Sequence, residues 1–553
     1  MIAVESKDFK TFLDRPVPNE GCGDHWRRRA LIGPFLMKQA HLIAVNTLII
    51  WGTTLLQMIP PIVMVPFLIR SLGDSGYGEY ALIWSLLLAI EQLEVSLQSG
   101  GIKYGAAALA QGRIDDLNKV LSSTFAFSVV LGVLSGLAIG LTGFAAFSGS
   151  PGMMVSLLIV GAMMLFLAPT TPFLGIIRAK QRHYVNSVAA ITAQYAGLLL
   201  TVLWFRLVGP SVEALIAILA GTLLISRLAQ VPVAYRLVPG LRNGYRYFDR
   251  GTFRMILGFG TMVVVLSLCL AANSTGMRWL AGLLVSTGFV AHLAIFLMPG
   301  AMLAQIVLAM TITVMPAASA YEASDNRVML RELFLKSTRY IVLLVSAALL
   351  AAGLLVRGVL RLWVGPAYEF LDIYALVNLA GVAVLMSASC AHQMLKGLGA
   401  LRSIFAAYLA GLVVVPAAVF VAVFLIWRSP YAAISAGLLL GNITAGILQL
   451  RACARAVQMD GGLFFKRAFL EPLVPAMAGL AFAAGTMALT GVDSLAWRAA
   501  AAVAGVAIAF GGFYAFVAGP EERRQLVDFI RMVQARFKGG LGRISTQKEG
   551  PDA

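Results

Sequence analysis

The stretch LIAVNTLIIWGTTLLQMIPPIVMVPFLI, Leu42 to Ile69, is followed by Arg70-Ser71-Leu72-Gly73-Asp74-Ser75-Gly76-Tyr77-Gly78-Glu79 and then by a second apolar run from Tyr80 to Gly101. An uncharged run of that length crosses a hydrocarbon core of about 30 Å as a helix, and the Gly- and Ser-rich segment after it suits a tight turn back. The pattern of crossing, turn and crossing then repeats. Further runs lie near Val120 to Phe147, Met154 to Ile177, Ser187 to Val208, Val212 to Val238, Met255 to Ala272, Phe289 to Pro316 and Tyr340 to Val356. Beyond them come Phe370 to Leu395, Ile404 to Ile426, Tyr431 to Leu450, Pro472 to Leu489 and Leu495 to Ala518. The expectation is an all-α polytopic membrane protein of about fourteen transmembrane helices.

Lys and Arg crowd every second connection. One set holds Arg27, Arg28, Arg29 and Lys38, then Lys103, Arg113 and Lys119, then Arg178, Lys180 and Arg182, then Arg236 through Arg254, Arg327 through Arg339 and the C-terminal tail. Roughly 35 basic residues fall on that side against about seven on the other, and the richer side is the cytoplasmic one. Both termini are therefore expected in the cytoplasm, with Arg227 left as the basic residue inside a run. The residues before Leu42 lack the apolar core of a cleavable signal, so the first run is expected to direct insertion.

Composition excludes several function classes. Apolar residues make up 59% and charged residues 12%, with a mean hydropathy of +0.84, a balance suited to lipid and not to a water-soluble core and shell. The net charge of +17 is spread over alternate short loops, where orientation and an anionic leaflet account for it without nucleic acid. Cys22, Cys269, Cys390 and Cys453 are isolated and read as free thiols. No Walker-type phosphate loop occurs, and no cofactor or metal motif stands out. External connections stay within about 15 residues, which leaves little room for the outer acids that a membrane-embedded sugar transferase or ligase usually carries. The best outer acids, Asp74 and Glu79, sit among turn formers and read as part of a tight turn.

Internal repetition organises the runs. At an offset of about 212 to 217 residues, Ser75-Gly76-Tyr77-Gly78-Glu79-Tyr80-Ala81 aligns with Thr287-Gly288-Phe289-Val290-Ala291-His292-Leu293, and Ala110 to Thr124 aligns with Ala323 to Thr338. The expected organisation is a tail over residues 1–41, a first lobe of helices one to six over 42–254 and a second of helices seven to twelve over 255–450. Helices thirteen and fourteen follow over 451–518. A tail over 519–553 begins with the amphipathic stretch Glu521 to Lys538, expected on the inner leaflet, and ends in a Gly-rich polar segment expected to be disordered.

Several segments together carry a family resemblance. They are Pro66-Phe67-Leu68-Ile69-Arg70-Ser71-Leu72-Gly73 followed by Gly76-Tyr77-Gly78-Glu79-Tyr80, then Gly100-Gly101-Ile102, then Val314-Met315-Pro316-Ala317. Leu360-Arg361-Leu362-Trp363-Val364-Gly365-Pro366-Ala367-Tyr368 and Lys396-Gly397-Leu398-Gly399 complete the set. In order and spacing they resemble the Wzx-type polysaccharide or O-antigen flippases of the multidrug/oligosaccharidyl-lipid/polysaccharide exporter superfamily. The resemblance implies a V-shaped pair of six-helix lobes around a central cavity, with two further C-terminal helices. It implies a transporter and not an enzyme, located in the bacterial inner membrane. The implied activity is export of undecaprenyl-diphosphate-linked oligosaccharide for polysaccharide biosynthesis, by alternating access coupled to a proton or sodium gradient, beside other polysaccharide-assembly proteins. A multidrug or cation antiporter of the same superfamily is one alternative, and a membrane-embedded sugar transferase or ligase is the alternative from another class. One departure from the pattern is that the acid often found just before the glycine ending span two is absent from Leu97-Gln98-Ser99-Gly100-Gly101.

The acids stand further inward. Glu91, Glu94 and Gln98 share one helix face, and carboxylates at membrane depth need a wet cavity, a proton or a basic partner. They are candidates for cation coupling or sugar binding, or they pair with a neighbour such as Arg227 and hold helices together. A diphosphate needs cationic partners. Candidates are Arg227, Lys103 and Lys396 toward the inward mouth, and Arg278 beside Trp279 toward the outside, each of which also reads as an interface anchor. His292 and His392 lie in apolar runs as proton carriers or packing residues. Polar stripes at helical spacing, Asn46, Thr53 and Gln57, Gln194 and Thr201, and Ser435, Asn442 and Gln449, suit sugar hydroxyls or helix contacts. Pro60-Pro61 marks either a working bend or a static kink.

Overall fold

A computed structural model describes the chain at residues 24–520 apart from 148, 181 and 491–493, and at 522–524 and 527. Side chains are described from residue 51 onward, without those of 94–100, 103, 107, 110, 146, 183, 259, 260, 262, 320 and 323. Cys22, the side chains of Asn46, Glu94, Gln98 and Lys103, the tail before Asp24 and most of Glu521 to Lys538 thus lie outside the described residues.

Among the described residues regular structure is helical throughout. The first part of the chain gives α1 (Asp24–Ala110), α2 (Ile114–Phe147), α3 (Pro151–Leu167), α4 (Thr171–Ala179), α5 (His183–Leu207) and α6 (Val212–Leu237). Next come α7 (Arg250–Ala271), α8 (Met277–Leu284), α9 (Thr287–Thr311), α10 (Val314–Ala323), α11 (Arg327–Trp363), α12 (Asp372–Ser387), α13 (Ser389–Gly397), α14 (Leu401–Tyr408), α15 (Val415–Trp427) and α16 (Pro430–Ala456). The chain continues through α17 (Gly461–Phe465), α18 (Glu471–Thr490) and α19 (Leu495–Gly512). Short π or 3₁₀ turns join α3 to α4, α7 to α8, α14 to α15 and α17 to α18, so each of these pairs makes one crossing.

Thirteen helical segments among the described residues are long and apolar enough to cross a membrane. The first of them, Trp51–Leu93, holds two crossings, because α1 breaks at Gly73, where φ is 71°. That left-handed backbone is open to glycine at no steric cost and turns the chain between the crossings. The fourteen passes expected from the runs are accounted for in this way. Apolar side chains such as Leu134, Leu137 and Leu141 on α2 point outward and exposed, as a lipid-facing stripe requires. The α7 crossing runs further than its apolar run indicates: the π turn Ala272–Gly276 carries it into α8, and Arg278 therefore lies inside a crossing. Arg227 is accordingly not the lone intramembrane Arg expected from the sequence.

The chain divides into two compact units. One comprises Met1–Leu330 with Arg357–Val457, and the other Arg331–Val356 with Gln458–Ala553. In the first unit a core forms from Leu117 and Leu121 of α2, Phe173, Ile176 and Ile177 of α4, and Ala234 of α6 with Val238 and Leu241. The basic connection after α6 is pinned onto the polar start of α2. Arg242 N–H donates to Asn118 Oδ1 at 2.8 Å, Gly244 N–H to Ser122 Oγ at 3.2 Å and Asp249 N–H to Ser123 Oγ at 3.3 Å. Asp249 then caps α7, accepting from the backbone N–H and the hydroxyl of Thr252, both at 2.7 Å.

In the second unit α18 and α19 meet at glycines: a Cβ on Gly479 would run into the carbonyl of Gly505, so small residues set the helix separation. Leu343, Ala476, Ala509, Phe513 and Ala518 form its core. Arg339 lies buried over the Phe513 ring, 5.6 Å from its centre, and Nη2 donates to both carboxylate oxygens of Glu522.

Candidate functional site

Beyond the Gly73 break, α1 presents Tyr77, Tyr80, Trp84, Leu88 and Glu91 at steps of three and four, which place them on one helix face. That face lines two adjoining cavities within the first unit. One, of about 290 Å³, is walled by Tyr77, Tyr80, Trp84, Pro60, Pro61, Gln194 and Arg278. The other, of about 320 Å³, is walled by Glu91, Arg178, Arg227, Asn186, Gln57 and Gln230. Trp84, Leu88, Gln194 and Leu219 belong to both walls. From Tyr77 to Glu91 the helix rises about 21 Å, so aromatic and polar ends are well separated. Pro60-Pro61 keeps helical dihedrals and serves as wall.

The aromatic end is ordered by contact along α1. Tyr77 and Tyr80 lie 6.0 Å apart between ring centres, and Tyr80 stacks on Trp84 at 6.0 Å with 28° between planes. Arg278 enters this end from α8. Its Nε is buried without a hydrogen-bond partner, and no acid lies in ion-pair range of it among the described residues.

At the polar end Arg227 Nη2 of α6 donates to Glu91 Oε1 of α1 at 2.5 Å, with side chains 15% and 22% exposed. The expected carboxylate thus has a guanidinium partner and is not a free anionic site. Arg178, at the last turn of α4, joins the same wall. The described lining of the two cavities therefore holds three guanidinium groups and one carboxylate, an excess of two positive charges. Both side-chain polar atoms of Asn186 and the Oε1 of Gln230 are buried without partners, leaving donors and acceptors open to a ligand.

Asp74, one turn before Tyr77, is more than a turn residue. One of its oxygens accepts from the Tyr368 hydroxyl, and the other lies 3.2 Å from His292 Nε2 of α9. The opposite ring nitrogen, His292 Nδ1, lies 2.5 Å from the Tyr431 hydroxyl of α16. Rings of Tyr368 and Phe370 stand edge-on to the imidazole at 5.7 and 5.5 Å, and Tyr431 stacks on it at 6.0 Å. Next to this cluster Ser75 and Thr287 meet through their hydroxyls at 3.2 Å.

Of the residues singled out from the sequence, Glu91 and Arg227 meet on the wall of one cavity, Arg278 lines the other, and His292 joins Asp74 instead. Lys396 ends α13 and lines neither cavity. His392 is buried, with Nδ1 at 3.2 Å from both Gln449 Oε1 and the Tyr408 hydroxyl. Ser435, Asn442 and Gln449 are buried along α16, the position of helix-packing groups. Sequence reasoning missed Arg178, counted among the loop bases, and Tyr368 and Tyr431, whose signals were a place at the ends of runs and, for Tyr368, the Leu360 to Tyr368 segment.

No family model and no curated protein matches the chain. Solved structures do. An inward-facing multidrug resistance MATE family transporter of the MOP superfamily superposes with a TM-score of 0.62 at 13% identity, over 74% of this chain and 98% of that one. The outward-facing conformation of such a transporter gives 0.58 at 15% identity, over 74% and 96%. A MATE structure in the bent conformation gives 0.58 at 13%, over 77% and 96%. The chain shares the fold of the MATE transporters of the MOP superfamily.

Proposed function

We propose that this protein is a flippase that carries undecaprenyl-diphosphate-linked oligosaccharide across the bacterial inner membrane for polysaccharide assembly, by ion-coupled alternating access. Residues 42–254 and 255–450 act as two lobes that part alternately on either side, with both termini in the cytoplasm. The observation that carries the reading is the charge of the cavities: Arg178, Arg227 and Arg278 against Glu91 alone. Cations in a low-dielectric wall select an anion, and guanidinium forks match phosphate oxygens. Arg278, with no acid beside it, is the natural contact for a diphosphate, while Tyr77, Tyr80 and Trp84 offer faces and edges to sugar rings.

A multidrug antiporter is the second reading, favoured by the aromatic wall, since a lipophilic cation can rest on Tyr80 and Trp84. The two readings differ in the sign of the ligand. Inverted vesicles loaded with lipid-linked oligosaccharide decide between them. Wild type is expected to move the lipid to the vesicle interior and Arg278→Ala to move it several-fold more slowly at matched expression. Export of a cationic dye without movement of the lipid would replace the flippase reading with the antiporter.

A further inference from the structure

We propose that Asp74, His292, Tyr368 and Tyr431 form a proton-binding latch that holds the Asp74 end of the cavity closed. The inference deepens the alternating-access reading above, on which it rests. The four side chains come from α1, α9, the 3₁₀ turn Pro366–Leu371 and α16, so the cluster ties the first proposed lobe to the second.

Its hydrogen bonds can be counted. Tyr368 O–H donates to one Asp74 oxygen, and His292 Nε2–H faces the other. Nδ1 faces the Tyr431 hydroxyl, which donates to a neutral ring and accepts from a doubly protonated one. An added proton on His292 thus costs no hydrogen bond: Nε2–H points at a carboxylate and Nδ1–H at a phenol oxygen. Moving α1 away from α9 and α16 removes the carboxylate and leaves the imidazolium without its counter-charge. Proton binding and closure therefore favour each other, because a charged hydrogen bond exists in only one of the two arrangements. Acid strengthens the latch and alkali loosens it.

Among the described residues no charge other than that of Asp74 lies in ion-pair range of the imidazole. Each packed element offers its own titratable groups: Asp74 from α1, Tyr368 and Glu369 from the 3₁₀ turn, Asp372 and Tyr374 from α12, and Tyr431 from α16. Glu369 is held by Arg357 at 3.3 Å and by Arg361 at 3.4 Å, and Asp372 lies 3.9 Å from Arg357. Among the described residues His292 is the one base in ion-pair range of Asp74.

The test measures closure without substrate, so that it stands apart from the flippase assay. Spin labels at Leu207→Cys and Trp427→Cys, both exposed at the ends of α5 and α15, report separation of the two lobes in a background with the native cysteines replaced, in lipid nanodiscs. In wild type the short-distance population is expected to rise several-fold from pH 8.5 to pH 5.5. His292→Gln keeps a neutral hydrogen-bonding side chain and should flatten the profile, as should Asp74→Asn. A flat wild-type profile, or a steep one that survives both substitutions, overturns the latch. A steep, substitution-sensitive profile in a protein that moves no lipid-linked oligosaccharide supports the latch and removes the flippase reading.

Discussion

Ser75 and Thr287 meet hydroxyl to hydroxyl at 3.2 Å across 212 residues of chain. They are the residues that an offset of that length places in register, so the two segments aligned from the sequence touch each other. Parallel repeats related by an axis along the membrane normal bring equivalent residues near that axis into contact. The approach is close: a Cβ on Gly78 would collide with the carbonyl of Thr287, which explains why glycine stands there. Ser286, just before, caps α9 by accepting from Phe289 N–H at 3.1 Å and fixes where Thr287 begins the helix.

Paired cysteines at these positions should therefore crosslink. In a background lacking the native thiols, Ser75→Cys with Thr287→Cys is expected to form a disulfide under mild oxidation and to stop lipid movement, with reductant restoring it. Normal transport by the crosslinked protein would mean that the Asp74 end never opens.

The Glu91–Arg227 pair makes a separate prediction. The side chains are mostly shielded and joined at 2.5 Å, so Glu91→Gln and Arg227→Ala should each lower thermal stability in detergent. Removing both should cost less than the sum, with a coupling of about 1–3 kcal/mol. Additive losses would show that the contact holds nothing together.

The crossings were legible because length, hydropathy and loop charge are local properties of the sequence. The broken α1 is an example: six turn formers among the ten residues after Ile69 predict a reversal, and Gly73 supplies it with φ 71°. The pairing of Glu91 with Arg227 was legible as an option, since an intramembrane acid needs a cation and few were available. Arg278 was likewise legible only as one option beside an interface anchor, and Arg178 was not legible at all, because a side chain at the end of a run has the same local signature whether it anchors at the interface or faces a cavity. For Arg278 the π turn at Ala272–Gly276 decides, shifting the helix register without a hydrophobicity signal. Tyr368 reaches Asp74, and Tyr431 reaches His292, across well over a hundred residues of chain, relationships set by tertiary packing.

Asp249 gives a pH dependence outside the crossings. Hydrogen bonds from the Thr252 backbone and hydroxyl hold its carboxyl below the usual carboxylate range. A depressed value means that the folded state binds this proton less readily than the unfolded chain does. The cap therefore contributes fully above the ordinary Asp value of about 4 and is lost as pH falls through and below it. Proteolysis of the connection from Val238 to Asp249 should accelerate as pH is lowered from 6 toward 3.5 with an acid-tolerant protease. Asp249→Asn, which still caps, should reduce that dependence. Equal acid sensitivity in the variant would assign it to another group.

In the second unit, Arg339 and Glu522 are both buried and paired, with Glu471 Oε2 a further 3.8 Å contact of the guanidinium. Glu522→Gln leaves a buried cation short of its partner and should cost about 3–5 kcal/mol. Replacing the pair together, Arg339→Met with Glu522→Leu, should recover most of that loss. Unfolding temperatures in a fixed detergent check both. A double variant no more stable than Glu522→Gln would mean that the charges also place the segment after Ala518.

Arg278 is the sharpest test of what the cavity takes. Its Nε is buried without a partner, and the cavity wall around it is aromatic and apolar apart from Gln194, so a ligand oxygen gains a charge-assisted hydrogen bond there. Such a bond contributes about 1.5–3 kcal/mol, roughly a ten- to hundred-fold change in affinity. Arg278→Gln keeps an N–H donor and removes the charge, so binding of a polyprenyl diphosphate sugar to purified protein should weaken by that factor. Binding of the uncharged polyprenyl alcohol should stay the same. Equal weakening of both ligands would identify Arg278 as a support for the wall formed by Tyr77 and Tyr80, and the anion would then have to sit at the Arg178 and Arg227 end.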